Sequence, residues 1–356
     1  MPQDFTVDLL FWHKQENRRE MPWKGEKDPY KIWISEIILQ QTRVEQGLGY
    51  YERFVKSFPT LEKLAKAPEA KVFKLWEGLG YYSRCRNLLA TARIIQQEYG
   101  GVFPSEYHSI LKLKGIGTYT AAAIASFAFG LPYAVVDGNV YRVLSRYFGI
   151  RTPIDTLEGK KQFNALAQEL LPIQEPGLYN QAIMDFGAVV CKPRQPLCTT
   201  CIHQVKCKAF QEGMVEKLPV KTKTIALRQR WFNYFILHDK DGLVVRQREQ
   251  KDIWRDLYEF YLVEQEKPFV ELKAGDRLFK KIPGSVRKKY FPSSRPYDQK
   301  LSHQSIHARF IPVAVTARFQ VPPGYEKVPW RKVKSLPFPG IINQYLEQQG
   351  IADLKH

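Results

Sequence analysis

Four cysteines within seventeen residues place the strongest constraint on how this chain folds. Cys191, Cys198, Cys201 and Cys207 are separated by six, two and five residues, so that four thiolates fall in one loop. Such a loop can hold a tetrahedral zinc ion or a cubane iron–sulfur cluster. Zinc sites usually combine two close pairs that lie far apart, whereas only Cys198 and Cys201 form a close pair here. We therefore predict a [4Fe–4S] cluster on these four cysteines and a free thiol at Cys85.

Composition limits the class of protein around this loop. The 356 residues suffice for two domains, and a ferredoxin-like electron carrier, the competing class, would not need so long a chain. The formal net charge of +18 favours a polyanionic partner, with nucleic acid ahead of an anionic membrane surface. The N-terminus does not read as a signal peptide, and no apolar run is long enough to span a bilayer. We expect a cytoplasmic protein, nucleoid-associated if the source is bacterial.

Apolar periodicity divides the chain into two predicted domains. From Phe5 to about Val220, apolar residues recur every three or four positions between Pro and Gly punctuation, which predicts an all-α module over residues 1–220. Residues 221–230 form a basic linker. Strand-like runs then predict an α+β domain, mostly sheet, over 231–356. The predicted strands are Trp231–Leu237, Gly242–Arg248 and Leu257–Val263, followed by a strand pair within Ile306–Phe319.

Three polar features of the helical module suit chemistry. Gly115 and Gly117 form a tight turn before an Ala-rich helix, and free N–H groups at such a helix start attract a phosphate. Asp137 lies in an Asp-Gly-Asn turn, where it either caps the next helix or serves a ligand. Glu36 lies in the apolar helix around Trp33, and burial there raises the pKa of a carboxyl and keeps it protonated as a general acid requires. The alternative for Glu36 is a structural pairing with Arg or Lys.

A pair of carboxylates beside a phosphate-binding turn suits cleavage of a glycosidic bond, in which one acid protonates the leaving group and the other faces the sugar cation. With these features the chain resembles the MutY-type adenine DNA glycosylases of the helix-hairpin-helix superfamily, whose relatives include endonuclease III. The resemblance covers essentially the whole length and rests on the four cysteines and on the stretches Trp33–Val44, Gly78–Asn87, Gly115–Ala121 and Val136–Val140. It implies a helix-hairpin-helix glycosylase module with an iron–sulfur loop, followed by an α+β Nudix-like domain that recognises the lesion.

The resemblance also implies a reaction and its catalytic residues. A monomeric enzyme of base excision repair would remove adenine paired with 8-oxoguanine or guanine in duplex DNA and leave an abasic site. Glu36 matches the acid that protonates N7 of adenine, and Asp137 matches the carboxylate that stabilises or captures the sugar cation. Tyr119 and Asn139 match residues that assist around this intermediate. Relatives that also cleave the strand carry a Lys where Tyr119 stands, so we predict a monofunctional enzyme. The alternatives are a glycosylase/lyase on oxidised pyrimidines and a non-catalytic lesion-binding protein.

Further residues match DNA-contacting positions of the family. The adenine pocket is expected at Arg19, Met21, Trp23, Lys24 and Val44, with Lys24 in place of a more usual Arg. Gln41 and Tyr81 match side chains inserted into the base stack, with Thr42 and Leu79 beside them. Extruding a base costs a few kcal/mol, and side chains that fill the gap offset part of this cost.

The C-terminal domain differs from Nudix hydrolases in one feature and from the family in two. The acidic Nudix box that binds magnesium is absent, so we expect a lesion-reading sheet rather than a pyrophosphatase. The family's Phe-Ser-His appears as Leu301-Ser302-His303, which by itself reads as a surface turn. Asp256 stands where the family usually has Gly, and a carboxylate there argues against a phosphate contact.

Overall fold

The computed structural model describes residues 2–222, 227–250, 252–271, 277–278, 281–282, 288–290, 292–316 and 319–349. It divides into two compact units. The helical unit comprises Met1–Lys66 and Asn87–Lys223, and the sheet unit comprises Ala67–Arg86 and Thr224–His356. Within the described ranges, no helix is both long and apolar enough to cross a membrane.

Helices form most of the chain up to Val220, as the periodicity predicts. They are α1 (Pro2–Gln15), α2 (Pro29–Leu39), α3 (Val44–Ser57), α4 (Leu61–Ala65), α5 (Glu69–Trp76), α6 (Tyr82–Glu98), α7 (Tyr107–Lys112), α8 (Thr118–Phe129), α9 (Gly138–Phe148), α10 (Leu157–Leu170), α11 (Pro176–Val189) and α12 (Lys208–Gln211). The boundary between the two units falls within α6, and α5 belongs to the sheet unit.

The start of each site-bearing helix follows from its sequence. Asp28 caps α2 by accepting a hydrogen bond from the Tyr30 N–H, and Pro29 occupies the first helical position. Gly117 precedes α8, and Gly130 ends it with a left-handed φ of 65°. The core of the helical unit packs α1, α8, α9, α10 and α11 around large buried side chains such as Phe163 and Phe186. The helix α2 packs against α8, which brings their polar residues toward one another.

Eight strands lie in the described residues of the sheet unit. They are β1 (Arg228–His238), β2 (Gly242–Gln247), β3 (Tyr258–Glu259), β4 (Tyr261–Gln265), β5 (Lys288–Tyr290), β6 (Tyr297–Lys300), β7 (Gln304–Val315) and β8 (Glu326–Pro329), followed by α13 (Trp330–Val333) and α14 (Gly340–Gln349). β1 and β7 pair in parallel, and the other pairings are antiparallel. This α+β architecture confirms the predicted class of the C-terminal region. β1 begins at Arg228, within the segment 221–230 that the sequence assigns to a linker.

The predicted strand pair within Ile306–Phe319 is wrong, because one strand, β7, runs from Gln304 to Val315. Pro312 lies inside this strand. The N–H of Phe310 points away from β1 and donates to Ser294 Oγ. Backbone directions alternate along a strand, so the backbone nitrogen of Pro312 also points away from β1. On that side β6 pairs with residues 305–308 and β5 with 313–315, so the proline occupies the interval between two partners.

Candidate active site

A cavity of about 770 Å³ in the helical unit collects most of the predicted site residues. It is lined by side chains from the loop before α2, from α2 itself, and from the starts of α3, α8 and α9. The predicted residues among them are Arg19, Met21, Trp23, Lys24, Glu36, Gln41, Thr42, Val44, Tyr119, Asp137 and Asn139. Residues that are 120 positions apart in sequence therefore face one space.

Glu36 is the buried acid of this cavity. Its side chain lies on α2 with 8% of the residue exposed, among the buried neighbours that the apolar helix predicts. Burial raises the pKa of Glu36 to about 7, the nearby Asp137 charge adds to this, and a hydrogen bond from Tyr119 opposes it. Within the described part of the chain, Glu36 forms no ion pair with Lys or Arg, so the structural-pairing alternative does not apply. At neutral pH, a carboxyl with such a pKa is protonated in a large fraction of the molecules.

Tyr119 projects from the first turn of α8 toward Glu36. Its hydroxyl hydrogen-bonds Glu36 and lies 3.4 Å from Met184 Sδ. Burial and the neighbouring carboxyls raise the pKa of Tyr119 well above its usual value, so the phenol stays a neutral donor. Tyr119 has no amine that could attack the sugar.

Asp137 fulfils the capping role and also lines the cavity. Its Oδ1 accepts hydrogen bonds from the N–H groups of Asn139 at 2.9 Å and Val140 at 2.8 Å, which begins α9. Its Oδ2 accepts a 2.8 Å bond from Asn139 Nδ2, and Arg142 Nη2 donates to Asn139 Oδ1 at 2.8 Å. Burial raises the pKa of Asp137, while the hydrogen bonds from Val140 and Asn139 oppose the rise. The cap therefore holds this carboxylate in a fixed orientation.

Asp185 is a site residue that the sequence analysis missed. This fully buried carboxylate accepts 2.8 Å bonds from Arg19 Nη1 and Asn17 Nδ2, and Lys24 Nζ lies 3.3 Å away. Gln181, one turn earlier on α11, also donates to it at 3.0 Å. Asp185 thus fixes the two cations of the cavity wall. The signal for it was a polar pair spaced four residues apart in an otherwise apolar helix. Asp185 does not itself line the cavity; the lining residues that were not predicted include His13, Leu39, Gln181 and Met184.

Gln41 and Tyr81, the two residues matched to base-stack insertion, share an unusual backbone conformation. Gln41 has a φ of 54° and Tyr81 a φ of 48°, in the left-handed region that side chains other than glycine seldom adopt. Such strain persists where the surrounding structure imposes it, and it concentrates at functional sites. Gln41 lies in the helical unit, whereas Tyr81 and the buried Leu79 lie in the sheet unit.

The glycine turn before α8 forms as predicted, with different demands on its two glycines. Gly115 has a φ of 79°, and a Cβ there would meet Asn87 Cβ at 2.6 Å. Gly117 has an extended backbone and open space around it, and it leaves the start of α8 without a side-chain cap. The first N–H groups of α8 are therefore available to an anion.

The cysteine loop surrounds a small cavity of its own in the helical unit. Cys191, Cys198, Cys201 and Cys207 line it together with Arg146, whose Nη1 lies 3.4 Å from Cys191 Sγ. Among the residues that the structure describes, no three His, Cys, Asp or Glu side chains are arranged to hold a single metal ion. A cubane does not require such an arrangement, because each cysteine binds a different iron. The fifth cysteine, Cys85, is a buried thiol in the sheet unit.

In the sheet unit, Ser302 and His303 occupy an exposed turn between β6 and β7. The Leu301 N–H donates to the Gln304 carbonyl at 2.8 Å, and Ser302 Oγ lies 2.9 Å from His303 Nδ1. Asp256 has a φ of 70°, in the left-handed region that favours glycine, and its carboxylate pairs with Arg86.

Comparison with known proteins identifies the chain as a base-excision DNA glycosylase. A family model described as "HhH-GPD superfamily base excision DNA repair protein" matches residues 34–172. An adenine DNA glycosylase of Buchnera aphidicola (subsp. Baizongia pistaciae) is 38% identical over 259 residues, which is 72% of this chain and 73% of the relative. That of Buchnera from Schizaphis graminum is 32% identical over 88% of both chains. The chain belongs to the adenine DNA glycosylase family and is an enzyme that hydrolyses N-glycosyl bonds.

Solved structures match the helical part. A thermostable thymine-DNA glycosylase has a TM-score of 0.55 at 32% identity and covers 59% of this chain and 97% of its own. Endonuclease III in a non-covalent DNA complex has a TM-score of 0.52 at 21% identity, covers 60% of this chain and 98% of its own, and shows a shared fold.

Proposed function

We propose that the chain hydrolyses the N-glycosidic bond of adenine paired with 8-oxoguanine or guanine in duplex DNA, and that it leaves an abasic site. The observation that carries this proposal is a buried, cation-free Glu36 that hydrogen-bonds Tyr119 in a cavity also lined by Asp137. This arrangement provides a protonated acid and a fixed carboxylate, the two groups that glycosidic cleavage uses.

In the proposed reaction, Glu36 donates its proton to N7 of the extruded adenine as the glycosidic bond breaks. The electron pair of that bond leaves with the base, and Asp137 stabilises the positive charge on the sugar. Asn139, bonded to both Asp137 and Arg142, keeps the carboxylate in place. Water then attacks the sugar and transfers a proton to the ionised Glu36, which restores the acid. Because Tyr119 cannot form a Schiff base, the strand stays intact.

Base recognition in this proposal uses the cavity wall that Asp185 organises. Arg19 and Lys24 are held by that carboxylate, and Lys24 Nζ also donates to the Arg19 carbonyl at 2.8 Å. Met21, Trp23 and Val44 supply apolar and aromatic surface for a flat base. Gln41 and Tyr81 fill the gap in the base stack, next to Thr42 and Leu79. Gly115 and Gly117 present the start of α8 to a backbone phosphate.

We further propose that the sheet unit is Nudix-like and reads 8-oxoguanine through Ser302 and His303. Their exposure at a hairpin tip leaves both side chains accessible to DNA. The net charge of +18 supports binding of duplex DNA. In this proposal the chain binds DNA as a monomer.

The four cysteines fit a [4Fe–4S] cluster. Four thiol donors line one cavity, and Arg146 Nη1 donates toward Cys191 Sγ at 3.4 Å. When bound, the cluster would cross-link residues 191–207 through iron–sulfur bonds and so order this basic loop. A brown protein that absorbs near 410 nm supports the cluster, whereas a colourless protein containing zinc contradicts it.

One assay tests the proposed reaction. Purified protein is incubated with duplexes that contain adenine opposite 8-oxoguanine or thymine opposite guanine, and strand breaks are measured with and without alkali. We expect alkali-dependent breaks at adenine alone. Breaks without alkali would indicate a lyase, breaks at thymine would indicate the specificity named for the thymine-DNA glycosylase, and binding without release of base would indicate a non-catalytic protein.

A further inference from the structure

The loop Gly78–Tyr81 belongs to the same compact unit as the C-terminal sheet, although the loop and the sheet are far apart in sequence. The residue just before the loop is bonded to the C-terminal part of the chain. Glu77 Oε1 accepts a 2.8 Å hydrogen bond from the Phe338 N–H, and Lys74 donates to the Leu336 carbonyl at 3.1 Å. Phe338 is itself buried, so the entry to this loop is fixed by a well-packed segment.

The exit of the loop is fixed by a second polar contact. Arg86, in the second turn of α6, forms an ion pair with Asp256 and donates to the Arg255 carbonyl at 3.2 Å. The two side chains of the pair are about three-quarters buried, with 27% and 22% of their surface exposed. A charge-assisted pair of this kind is stronger than one between fully exposed side chains.

The Asp256 side of this pair is held rigidly. The Asp256 N–H donates to the Arg248 carbonyl at 2.8 Å, and the Arg248 N–H donates to the Leu257 carbonyl at 2.9 Å. Gln247 Nε2 also bonds the Asp256 carbonyl at 3.0 Å. The left-handed φ of 70° is therefore imposed by surrounding hydrogen bonds, and it directs the carboxylate at Arg86.

The loop between these two anchors is closed by its own contacts. The indole N–H of Trp76 donates to the Gly80 carbonyl at 3.1 Å, and the Gly78 N–H donates to the Tyr82 hydroxyl at 3.1 Å. The Arg84 guanidinium lies 5.4 Å from the centre of the Tyr81 ring. These contacts connect both anchors to the strained backbone of Tyr81.

We propose that Glu77 and the Arg86–Asp256 pair are positioning residues, through which the C-terminal domain holds Tyr81 for insertion into the base stack. The proposal rests on the proposed function for the role of Tyr81. It gives Asp256, a departure from the family's usual glycine, a role within the protein rather than toward a phosphate.

The test compares Asp256→Asn, Asp256→Gly and Arg86→Gln with the unaltered full-length protein. Asn tolerates the left-handed conformation, and Gly relieves it, so both remove the charge without adding strain. The matched control is Asp241→Asn, which removes the same charge from an exposed turn of the sheet unit. Two quantities are measured: amide hydrogen exchange at Leu79–Tyr82 in the free protein, and single-turnover excision of adenine opposite 8-oxoguanine.

We expect each of the three variants to exchange faster at Leu79–Tyr82 and to excise about tenfold more slowly, while the control matches the unaltered protein. Combining Asp256→Asn with Tyr81→Ala should add little to the loss from Tyr81→Ala alone, because both act on one step. Unchanged exchange, unchanged excision or fully additive losses would each overturn the proposal. If the unaltered protein excises no adenine, the proposed function fails. The positioning role is then still tested, because unchanged hydrogen exchange at Leu79–Tyr82 in the three variants would contradict it.

Discussion

Two buried glutamates, one in each unit, show how surroundings decide what a carboxyl does. Glu259, on β3 of the sheet unit, is fully buried and forms ion pairs with Arg246 and Arg248. Glu36, on α2 of the helical unit, has a phenol and apolar side chains around it, and burial raises its pKa to about 7. A buried carboxyl group that pairs with cations has a structural role, whereas burial without cations raises the pKa of the carboxyl and lets it act as a proton donor.

Two further acids of the sheet unit also form ion pairs with arginines. Asp252 and Glu264 both pair with the buried Arg230, and Asp252 also pairs with Arg248. These carboxylates are neutralised by arginines.

Replacing Glu36 by Gln should produce the largest effect. The amide keeps the shape of the side chain but cannot donate an acidic proton, so single-turnover excision should fall by about 10²- to 10⁴-fold. Affinity for duplex DNA with adenine opposite 8-oxoguanine should change by less than about threefold, measured by fluorescence anisotropy. Excision within tenfold of the unaltered protein would remove Glu36 from the role of acid.

Replacing Glu259 by Gln should act on stability instead. Loss of this charge leaves Arg248 buried with less compensation, and breaking a buried pair costs about 3–5 kcal/mol of unfolding free energy. Urea denaturation monitors the change. Glu264→Gln is the matched control, because its side chain is 34% exposed and its partner Arg230 keeps Asp252; it should cost less than about 1 kcal/mol. Equal losses in the two variants would contradict the contrast.

Glu36→Gln should have the opposite effect on stability, and only above acidic pH. Burial disfavours the ionised form of Glu36, so the pKa is about 7 in the folded protein against 4.5 for an unperturbed Glu. The folded protein therefore loses stability as the pH rises from about 4.5 through 7. The difference corresponds to about 3 kcal/mol. The Gln variant should therefore match the unaltered protein near pH 4.5 and exceed it by up to about 3 kcal/mol at pH 8 in urea denaturation. A gain that does not depend on pH would contradict the assigned pKa.

Much of the candidate site was predictable because its signals are local. An apolar helix around Glu36 predicts burial, which the structure confirms, and this burial raises the pKa of the carboxyl. An Asp before Gly-Asn predicts the cap that Asp137 forms. Such polar residues can be recognised from the sequence because their neighbours are apolar or turn-forming.

Features that depend on tertiary contacts were not predictable from the same signals. Asp185 organises the cavity wall only because the loop bearing Arg19 and Lys24 folds against α11. Pro312 lies inside β7 because the strands beside it leave that interval open, which no local pattern reveals. The assignment of Ala67–Arg86 to the sheet unit likewise rests on contacts such as Arg86 with Asp256.

The pH dependence of adenine excision tests the central claim, that Glu36 acts as a buried general acid, most directly. Single-turnover rates on adenine opposite 8-oxoguanine are measured from pH 5.5 to 9 at constant ionic strength. The account predicts a rate that falls above about pH 7, approaching a tenfold loss for each further pH unit, as Glu36 loses its proton. A rate that stays constant from pH 6 to pH 9 would contradict it.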